Sequence, residues 1–211
     1  MVRNPLENKI WKNTDTKPRF NHGHNGIIIP CCKSYIWFQM IISENVGDNN
    51  ILILFYKALA QLKIPYERVE TDEAVTMDDC VLIDQKLNMK MVKTLFLCNR
   101  KKTIFYLFIT AGRKVFDTKH FSSALGISRV SFAPAEMMEE MLGNKIGAAT
   151  VFGTLLDQDR DVQVIIDKEA ADEEFYGCSD GTTTCYMKIR TEDIIERFLS
   201  FAKHKPVIVD I

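Results

Sequence analysis

The chain has 211 residues with 27 basic and 28 acidic side chains, which gives a net charge of −1 at neutral pH. This length is enough for one hydrophobic core, and a composition of 46% hydrophobic and 26% charged residues is ordinary for a globular protein. The near-zero charge excludes a protein that binds nucleic acid through a generally basic surface, but not one that contacts only the end of a nucleic acid.

The first 45 residues differ from the rest of the chain. They contain both tryptophans and show no sustained helical or strand period. Histidines and cysteines between His22 and Cys32 suggest a metal cluster, but their spacing matches no standard zinc module. We therefore interpret residues 1–45 as an N-terminal extension outside the domain, with Met40 as a candidate initiator, and residues 46–211 as the domain.

The cysteine content and the hydropathy pattern indicate the compartment. Six cysteines without a secretory leader favour reduced thiols over a disulfide framework. The most apolar stretch, Ile27 to Ile42, is interrupted by Pro30 and Lys33 and is shorter than the roughly 18 apolar residues of a membrane span. We expect a cytoplasmic protein that needs no metal and no membrane.

From Asp48 onward the sequence shows regular patterns that are bounded by capping residues, glycine or proline. The predicted helices are 49–62, 76–88, 118–126, 134–143, 169–174 and 192–203. The predicted strands are 66–70, 94–98, 103–110, 128–132, 154–156, 162–167, 182–189 and 206–211. Residues 94–98 with 103–110, and 154–156 with 162–167, are predicted hairpins. This mixture predicts an α/β or α+β domain with a mixed sheet.

Lys93 is the first candidate functional residue. It precedes the apolar run Thr94 to Cys98, so its ammonium is expected at the mouth of a strand. A compact cation with three donors suits a phosphate or an ester carbonyl. The alternative interpretation is a lysine that keeps the end of an apolar strand in water.

Two glycine-bearing loops are the other candidates. In Gly147-Ala148-Ala149-Thr150-Val151-Phe152-Gly153, successive N–H groups can converge on a developing oxyanion, although the segment also suits an ordinary turn. In Gly177-Cys178-Ser179-Asp180-Gly181, the aspartate can orient a water or an α-amino group, or can simply form a turn before glycine. Because no histidine lies in these segments, a serine or cysteine triad has no obvious base.

The order and spacing of these three segments, over residues 50–211, resemble the YbaK/prolyl-tRNA synthetase-associated domain family of aminoacyl-tRNA deacylases, and within it the ProX (PrdX) type. The resemblance implies a mixed, partly barrel-like sheet flanked by helices. It implies that Lys93 and Gly147 are catalytic, with Lys93 holding the terminal adenosine end or the reacting ester. The substrate-binding residues that it implies are Thr94, Ala148, Ala149, Thr150, Phe152, Gly153, Cys178, Ser179 and Asp180.

The sequence departs from the family pattern in all three segments. Thr94 takes the place of the commoner asparagine, and Val151 replaces the proline of the first loop. Ser179 stands where ProX-type members usually have histidine, and it can replace the hydrogen bonding of that ring only in part.

The activity that the resemblance implies is hydrolysis of the ester that joins a wrong amino acid to the 3′ end of tRNA, with alanyl-tRNA(Pro) as the preferred substrate. It implies no cofactor, mischarged tRNA as a partner, and prolyl-tRNA synthetase as a second candidate partner. One alternative is a non-catalytic protein that binds tRNA or an aminoacyl nucleotide in the same pocket. Another is a deacylase with a different specificity, such as cysteinyl-tRNA(Pro).

Overall fold

The computed structural model describes residues 10–12, 51–71 and 80–211. The cluster between His22 and Cys32 and the predicted helix start at Thr76 lie outside the described residues. Of the predicted N-terminal extension, only the strand Ile10–Lys12 is described, and it pairs with residues 67–69 at one edge of the sheet. The domain boundary at residue 45 remains a prediction.

Nine strands and eight helical segments make up the described fold. The strands are β1 (Ile10–Lys12), β2 (Tyr66–Glu70), β3 (Lys90–Cys98), β4 (Phe105–Ala111), β5 (Ser131–Phe132), β6 (Val162–Asp167), β7 (Phe175–Ser179), β8 (Cys185–Arg190) and β9 (Val207–Val209). The α-helices are α1 (Ile51–Leu62), α2 (Val81–Leu87), α3 (Thr118–Ala124), α4 (Ala135–Leu142), α5 (Lys168–Ala171) and α6 (Leu199–Phe201). A 3₁₀-helix spans Val151–Leu155, and a π-helix, Asp193–Phe198, leads directly into α6.

The strands form one mixed sheet in the order β1-β2-β8-β7-β3-β4-β6-β9, with β5 paired to β3 off this path. Pairs β3–β7, β4–β6 and β6–β9 are parallel, and the other pairs are antiparallel. The path has two free ends at β1 and β9, so the described sheet is open. The predicted mixed sheet flanked by helices is confirmed, but it does not close into a barrel.

Side chains alternate between two apolar layers along β3. Val92 packs into the layer that contains α1, the 3₁₀-helix and the π-helix, around Phe55 and Phe152. Leu95 and Leu97 point the other way, into a layer that contains Phe121 of α3. Because successive residues of a strand face opposite sides, the parity of a residue in β3 fixes its layer. We call these layers the α1 face and the α3 face.

The β3–β4 hairpin is confirmed, and its turn has a local cause. The Asn99 side-chain oxygen accepts hydrogen bonds from the backbone N–H of Thr103 at 2.9 Å and of Ile104 at 3.4 Å. Lys102 adopts a positive φ of 55° in this turn. An asparagine that bonds the following backbone stabilises such a turn at low cost.

No helix in residues 51–71 or 80–211 combines the length and the apolar character that crossing a membrane requires.

The second predicted hairpin is wrong. Residues 154 and 155 belong to the 3₁₀-helix rather than to a strand, and β6 pairs with β4 in parallel. The Thr154 hydroxyl bonds the Val151 carbonyl at 2.8 Å within this turn. The Phe152 ring stacks on Phe55 with centroids 4.3 Å apart, so tertiary packing overrides the strand preference of the segment.

The predicted helix after Thr191 is present, but it is not a regular α-helix and Thr191 is not its cap. The segment Asp193–Phe198 is π-helical, and the buried Thr191 hydroxyl has no hydrogen-bond partner in the described structure, so it does not cap the helix. The final strand is also shorter than predicted, since only Val207–Val209 pairs with β6.

Candidate active site

Lys93 lies inside β3 rather than at the mouth of a strand. It is the fourth of nine residues, because β3 begins at Lys90, and it stands opposite Thr110 of β4. Its ammonium donates a hydrogen bond to the Lys114 carbonyl at 2.8 Å. Burial lowers the pKa of this half-buried lysine. Its other two N–H donors have no acceptor among the described residues, so they are available to a ligand.

A buried ionic network supports the turn that holds Lys93. The fully buried Asp167 carboxylate accepts from the Thr110 hydroxyl at 2.7 Å and pairs with the Lys114 ammonium at 2.7 Å. Glu169 also lies 3.5 Å from that ammonium. The hydrogen bond to Asp167 raises the pKa of Lys114. These contacts fix the Lys114 backbone, and its carbonyl in turn orients the Lys93 side chain.

A cavity of about 50 Å³ adjoins this network and is lined in part by Thr110, Phe116 and Asp167. That volume is enough for a few water molecules and too small for an aminoacyl-adenosine. This cavity is therefore not a pocket for an aminoacyl-adenosine.

The segment 177–181 is mostly strand rather than loop. Gly177, Cys178 and Ser179 belong to β7, and the turn begins at Asp180. The Gly177 position is close-packed because a Cβ there would come 2.6 Å from the Lys90 carbonyl oxygen. The sequence prediction failed here because glycine, serine and aspartate together are typical of a turn.

The β3–β7 ladder has only two residue pairs, Lys90 with Tyr176 and Met91 with Gly177. If this register is continued by two residues, Lys93 lies alongside Ser179 on the same face of the sheet. Ser179 is buried, and its hydroxyl accepts a long hydrogen bond from the Gly181 amide at 3.4 Å. The pairing ends at Met91 and Gly177. We call the unpaired stretch of β3 and β7 beyond these residues the split, and it is the candidate active site.

The two predicted loops do meet, but on the α1 face. The Thr150 amide donates to the Asn144 side-chain oxygen at 3.3 Å, and the Thr150 methyl lies 3.8 Å from the position that a Cβ would occupy at Gly181. Phe152 and Cys178 pack in the same core cluster. Lys93 lies on the α3 face. The structure therefore places the predicted residues on opposite faces of the sheet.

Ahead of the 3₁₀-helix, the backbone of the first loop has two N–H groups to offer. The amides of Ala148, Thr150 and Gly153 are used in hydrogen bonds to Lys145, Asn144 and Thr150. Within the described part of the chain, no hydrogen bond takes the amide of Gly147 or Ala149. Gly147 has a φ of 82°, a left-handed conformation that explains the glycine. The two amides remain the candidate oxyanion donors.

Asp180 is engaged within the protein. Its carboxylate accepts from the Thr182 amide at 3.0 Å, from the Thr182 hydroxyl at 2.7 Å and from the Tyr56 hydroxyl at 3.3 Å. Arg68 donates to the same Tyr56 hydroxyl at 3.0 Å. The turn interpretation of Asp180 accounts for the two contacts with Thr182, and the contact with Tyr56 is a tertiary one. Tyr56 and Arg68 were not predicted from the sequence, because they reach the site from a helix and a strand more than a hundred residues away along the chain.

Several buried polar atoms around the split have no hydrogen-bond partner in the described structure. They are the Asn144 side-chain nitrogen and the hydroxyls of Thr150 and Tyr176. Burial raises the pKa of Tyr176 well above its usual value, and the nearby Thr94 hydroxyl opposes this. The Tyr176 hydroxyl lies near that of Thr94, and the Thr150 hydroxyl lies near the Cys178 thiol, so these two groups have polar neighbours and do not by themselves mark a ligand site.

Cys178 is poorly suited to act as a nucleophile. Burial, followed by the charge of Asp180, raises the pKa of its thiol far above the usual value. Because the thiolate is the reactive form, this thiol is inert at neutral pH. Within the described ranges, no three His, Cys, Asp or Glu side chains are grouped as metal ligands.

Comparison with known proteins identifies the domain. The family model of the aminoacyl-tRNA editing domain matches residues 71–196 of this chain. The chain belongs to the aminoacyl-tRNA editing domain family. The resemblance inferred from the sequence is thereby confirmed, and this editing domain is placed among the aminoacyl-tRNA hydrolases.

Curated relatives agree with this assignment, and a solved structure shares the fold. The editing domain is 32% identical over 110 residues to prolyl-tRNA editing protein ProX of Acetoanaerobium sticklandii, which covers 52% of this chain and 67% of that protein. It is 26% identical over 153 residues to prolyl-tRNA synthetase associated domain-containing protein 1 of Danio rerio, covering 72% and 82%. A solved structure described as a proposed trans-editing enzyme for prolyl-tRNA synthetase superposes with a TM-score of 0.56 at 15% identity, covering 76% of this chain and 97% of the other. This last likeness shows the fold alone.

Proposed function

We propose that this protein is a free-standing trans-editing deacylase that hydrolyses the ester of mischarged tRNA in the cytoplasm, with alanyl-tRNA(Pro) as its preferred substrate. The observation that carries the proposal is the half-buried Lys93 ammonium, which has two free donors and lies beside the split between β3 and β7. The names of the ProX and Danio rerio relatives support prolyl-tRNA as the tRNA class.

In the proposed reaction, water attacks the ester carbonyl and the ribose hydroxyl is the leaving group. Lys93 binds the phosphate or the carbonyl of the terminal nucleotide, since an ammonium forms strong hydrogen bonds with anionic oxygens. The proposal requires the ester carbonyl to reach through the split to the α1 face, where the amides of Gly147 and Ala149 stabilise the oxyanion. The neighbouring ribose hydroxyl assists, so positioning and backbone electrostatics replace a side-chain base.

Selectivity follows from size. A synthetase site made for proline cannot strongly exclude the smaller alanine, because a few methylene groups are worth only about 1–3 kcal/mol. A second site that admits alanine and excludes proline then removes the error. The packed side chains around the split, among them Thr150 and Cys178, restrict the space for the acyl group.

The test is a panel of mischarged tRNAs incubated with purified protein and scored for release of free amino acid. We expect alanyl-tRNA(Pro) to be hydrolysed fastest. Lys93→Ala is expected to lower kcat by about 100-fold or more, the usual effect of losing one donor to a transition state. Lys90→Ala is the matched control because Lys90 lies on the same strand and forms only an exposed ion pair with Glu173.

Wild-type turnover by a folded Lys93→Ala protein would contradict the proposed role of Lys93. Hydrolysis of another charged tRNA, such as cysteinyl-tRNA(Pro), in place of alanyl-tRNA(Pro) would correct the specificity. Binding of charged tRNA without hydrolysis would favour the second candidate, a non-catalytic binding protein. The serine at position 179, where a histidine is usual, and the engaged carboxylate of Asp180 are the observations that favour it. Co-purification with prolyl-tRNA synthetase would test the second candidate partner.

A further inference from the structure

An exposed aromatic pair lies on the α3 face. The Phe132 side chain is 61% exposed, which is unusual for a phenylalanine, and it contacts Phe116 edge-on with ring centroids 5.8 Å apart. Phe116 in turn packs against Phe108 and Phe121, which are buried in the core of that face. The Phe132 ring is therefore supported by Phe116 on one side and exposed to solvent on the other. We call Phe116 and Phe132 the aromatic platform.

The platform shares a face of the sheet with Lys93. Phe132 stands opposite Leu97 in the β3–β5 pair, and Lys93 lies four residues earlier in β3 with the same parity. Four residues of strand span roughly 13 Å. A ligand that reaches from Lys93 to Phe132 is therefore longer than one nucleotide unit. The turn that holds Lys93 also leads directly into Phe116, since Lys114 is two residues earlier.

The chain segment that carries the platform is basic. Between Arg113 and Phe132 it has four Arg or Lys residues and one acidic residue. Lys114 is paired with Asp167 and Glu169, and the Asp117 carboxylate accepts from the amides of Lys119 and His120 as the cap of α3. The other three cations of this segment, Arg113, Lys119 and Arg129, are of the charge that complements a phosphate backbone.

We propose that Phe132, supported by Phe116, stacks on an unpaired base of the tRNA 3′ end, upstream of the nucleotide whose ester lies at Lys93. Exposed aromatic rings interleaved with cations are the means by which proteins bind single-stranded nucleic acid without reading its sequence. The platform thus positions the 3′ strand across the α3 face. This inference rests on the proposed function, because it takes tRNA as the ligand.

The experiment measures binding without hydrolysis. The probe is a fluorescently labelled RNA hairpin that ends in single-stranded CCA, titrated with protein in a fluorescence anisotropy assay at fixed salt. Phe132→Ala is expected to raise Kd by about tenfold, the usual loss for one stacked base. Phe132→Tyr keeps the aromatic face and is expected to bind as the wild type does. Phe132→Leu keeps apolar contact with Phe116 but is expected to bind as weakly as alanine.

Phe201 supplies the matched control, because it is another exposed phenylalanine, 38% accessible, on α6. Phe201→Ala is expected to leave Kd unchanged. In the deacylation assay, Phe132→Ala is expected to raise KM about tenfold with little change in kcat, since the platform holds the strand and not the ester. A Kd that is unchanged in Phe132→Ala and Phe132→Leu would overturn the proposal.

The experiments distinguish failure of the platform proposal from failure of the proposed function. RNA binding that depends on Phe132, in a protein that hydrolyses none of the charged tRNAs, would support the platform and refute the deacylase. Hydrolysis with the wild-type KM in Phe132→Ala would support the deacylase and refute the platform. A change of oligomeric state in Phe132→Ala without a change of RNA affinity would also refute it, because the face would then be a protein interface.

Discussion

At the scale of single residues, Cys178 and Cys185 lie buried on adjacent strands near Asp180. Burial, followed by the Asp180 charge, raises the pKa of both thiols far above the usual value. We expect iodoacetamide at pH 8 to leave both unmodified in the folded protein and to alkylate both in urea, because only the thiolate reacts. Mass spectrometry of the peptides measures this. Rapid labelling of Cys178 without denaturant would contradict the burial of this thiol.

Candidate functional residues can be proposed from the sequence more readily than their surroundings can. Lys93 and Gly147 stand out in the sequence, one as a cation beside an apolar run and the other as a glycine in a loop. The sequence held no signal for the contact between Lys93 and the Lys114 carbonyl, or for the support from Asp167, because these partners are 21 and 74 residues away. The structure brings the two loops together on the α1 face but places Lys93 on the α3 face, so a shared role for Lys93 and Gly147 in one reaction remains a prediction.

At the scale of elements, the close approach of β3 and β7 depends on Gly177. A Cβ at this position would come 2.6 Å from the Lys90 carbonyl oxygen and 2.8 Å from the Met89 sulfur. We expect Gly177→Ala to destabilise the protein by about 1–3 kcal/mol, as overpacking does, and to lower deacylation because the split must widen. Urea unfolding and turnover per folded molecule measure the two effects.

Gly126→Ala is the control for this variant. Gly126 has a φ of 64°, and a Cβ there meets no atom within 4 Å. Its replacement adds backbone strain of about 1 kcal/mol but leaves the split unchanged. Equal activity losses in the two variants would show that stability alone, and not the geometry of β3 and β7, accounts for the effect.

Element prediction succeeded where local signals agree and failed where packing decides. The β3–β4 hairpin has aromatic strands and an Asn99 turn, so local and tertiary preferences coincide. The strand β7 has a turn-like sequence, but it is enclosed by β3 and β8, and backbone pairing makes it a strand. Leu155 was predicted as strand, but burial of the neighbouring Phe152 against Phe55 holds the segment as a 3₁₀-helix.

At the scale of the whole molecule, a buried pair of side chains, His204 and Asp157, connects the C-terminal segment to the middle of the chain. His204 places one ring nitrogen 2.9 Å from the Asp157 carboxylate and the other 2.7 Å from the Ala202 carbonyl. The Asp157 carboxylate also accepts from the amides of Asp161 and Val162 at 3.1 and 2.9 Å. This pair joins the turn before β6 to the segment before β9, so it stabilises the edge of the sheet.

The His204–Asp157 pair makes the free energy of unfolding depend on pH. Burial alone would raise the pKa of the Asp157 carboxyl, but hydrogen bonds from His204 and from the two amides lower it below the usual value. The folded pKa is then below the unfolded value of about 3.9. The contribution to stability is therefore complete above the unfolded pKa and is lost as the pH falls through the folded pKa.

Asp157→Asn tests this dependence. At pH 7 the variant is expected to be less stable than the wild type by about 1–3 kcal/mol, the contribution of hydrogen bonds to a charged group. Below pH 4 the wild type loses this contribution and the variant has none to lose, so the difference between their urea midpoints should narrow. If plots of urea midpoint against pH stay parallel for the two proteins from pH 7 to pH 3, the Asp157 carboxylate is not the group whose protonation weakens the fold.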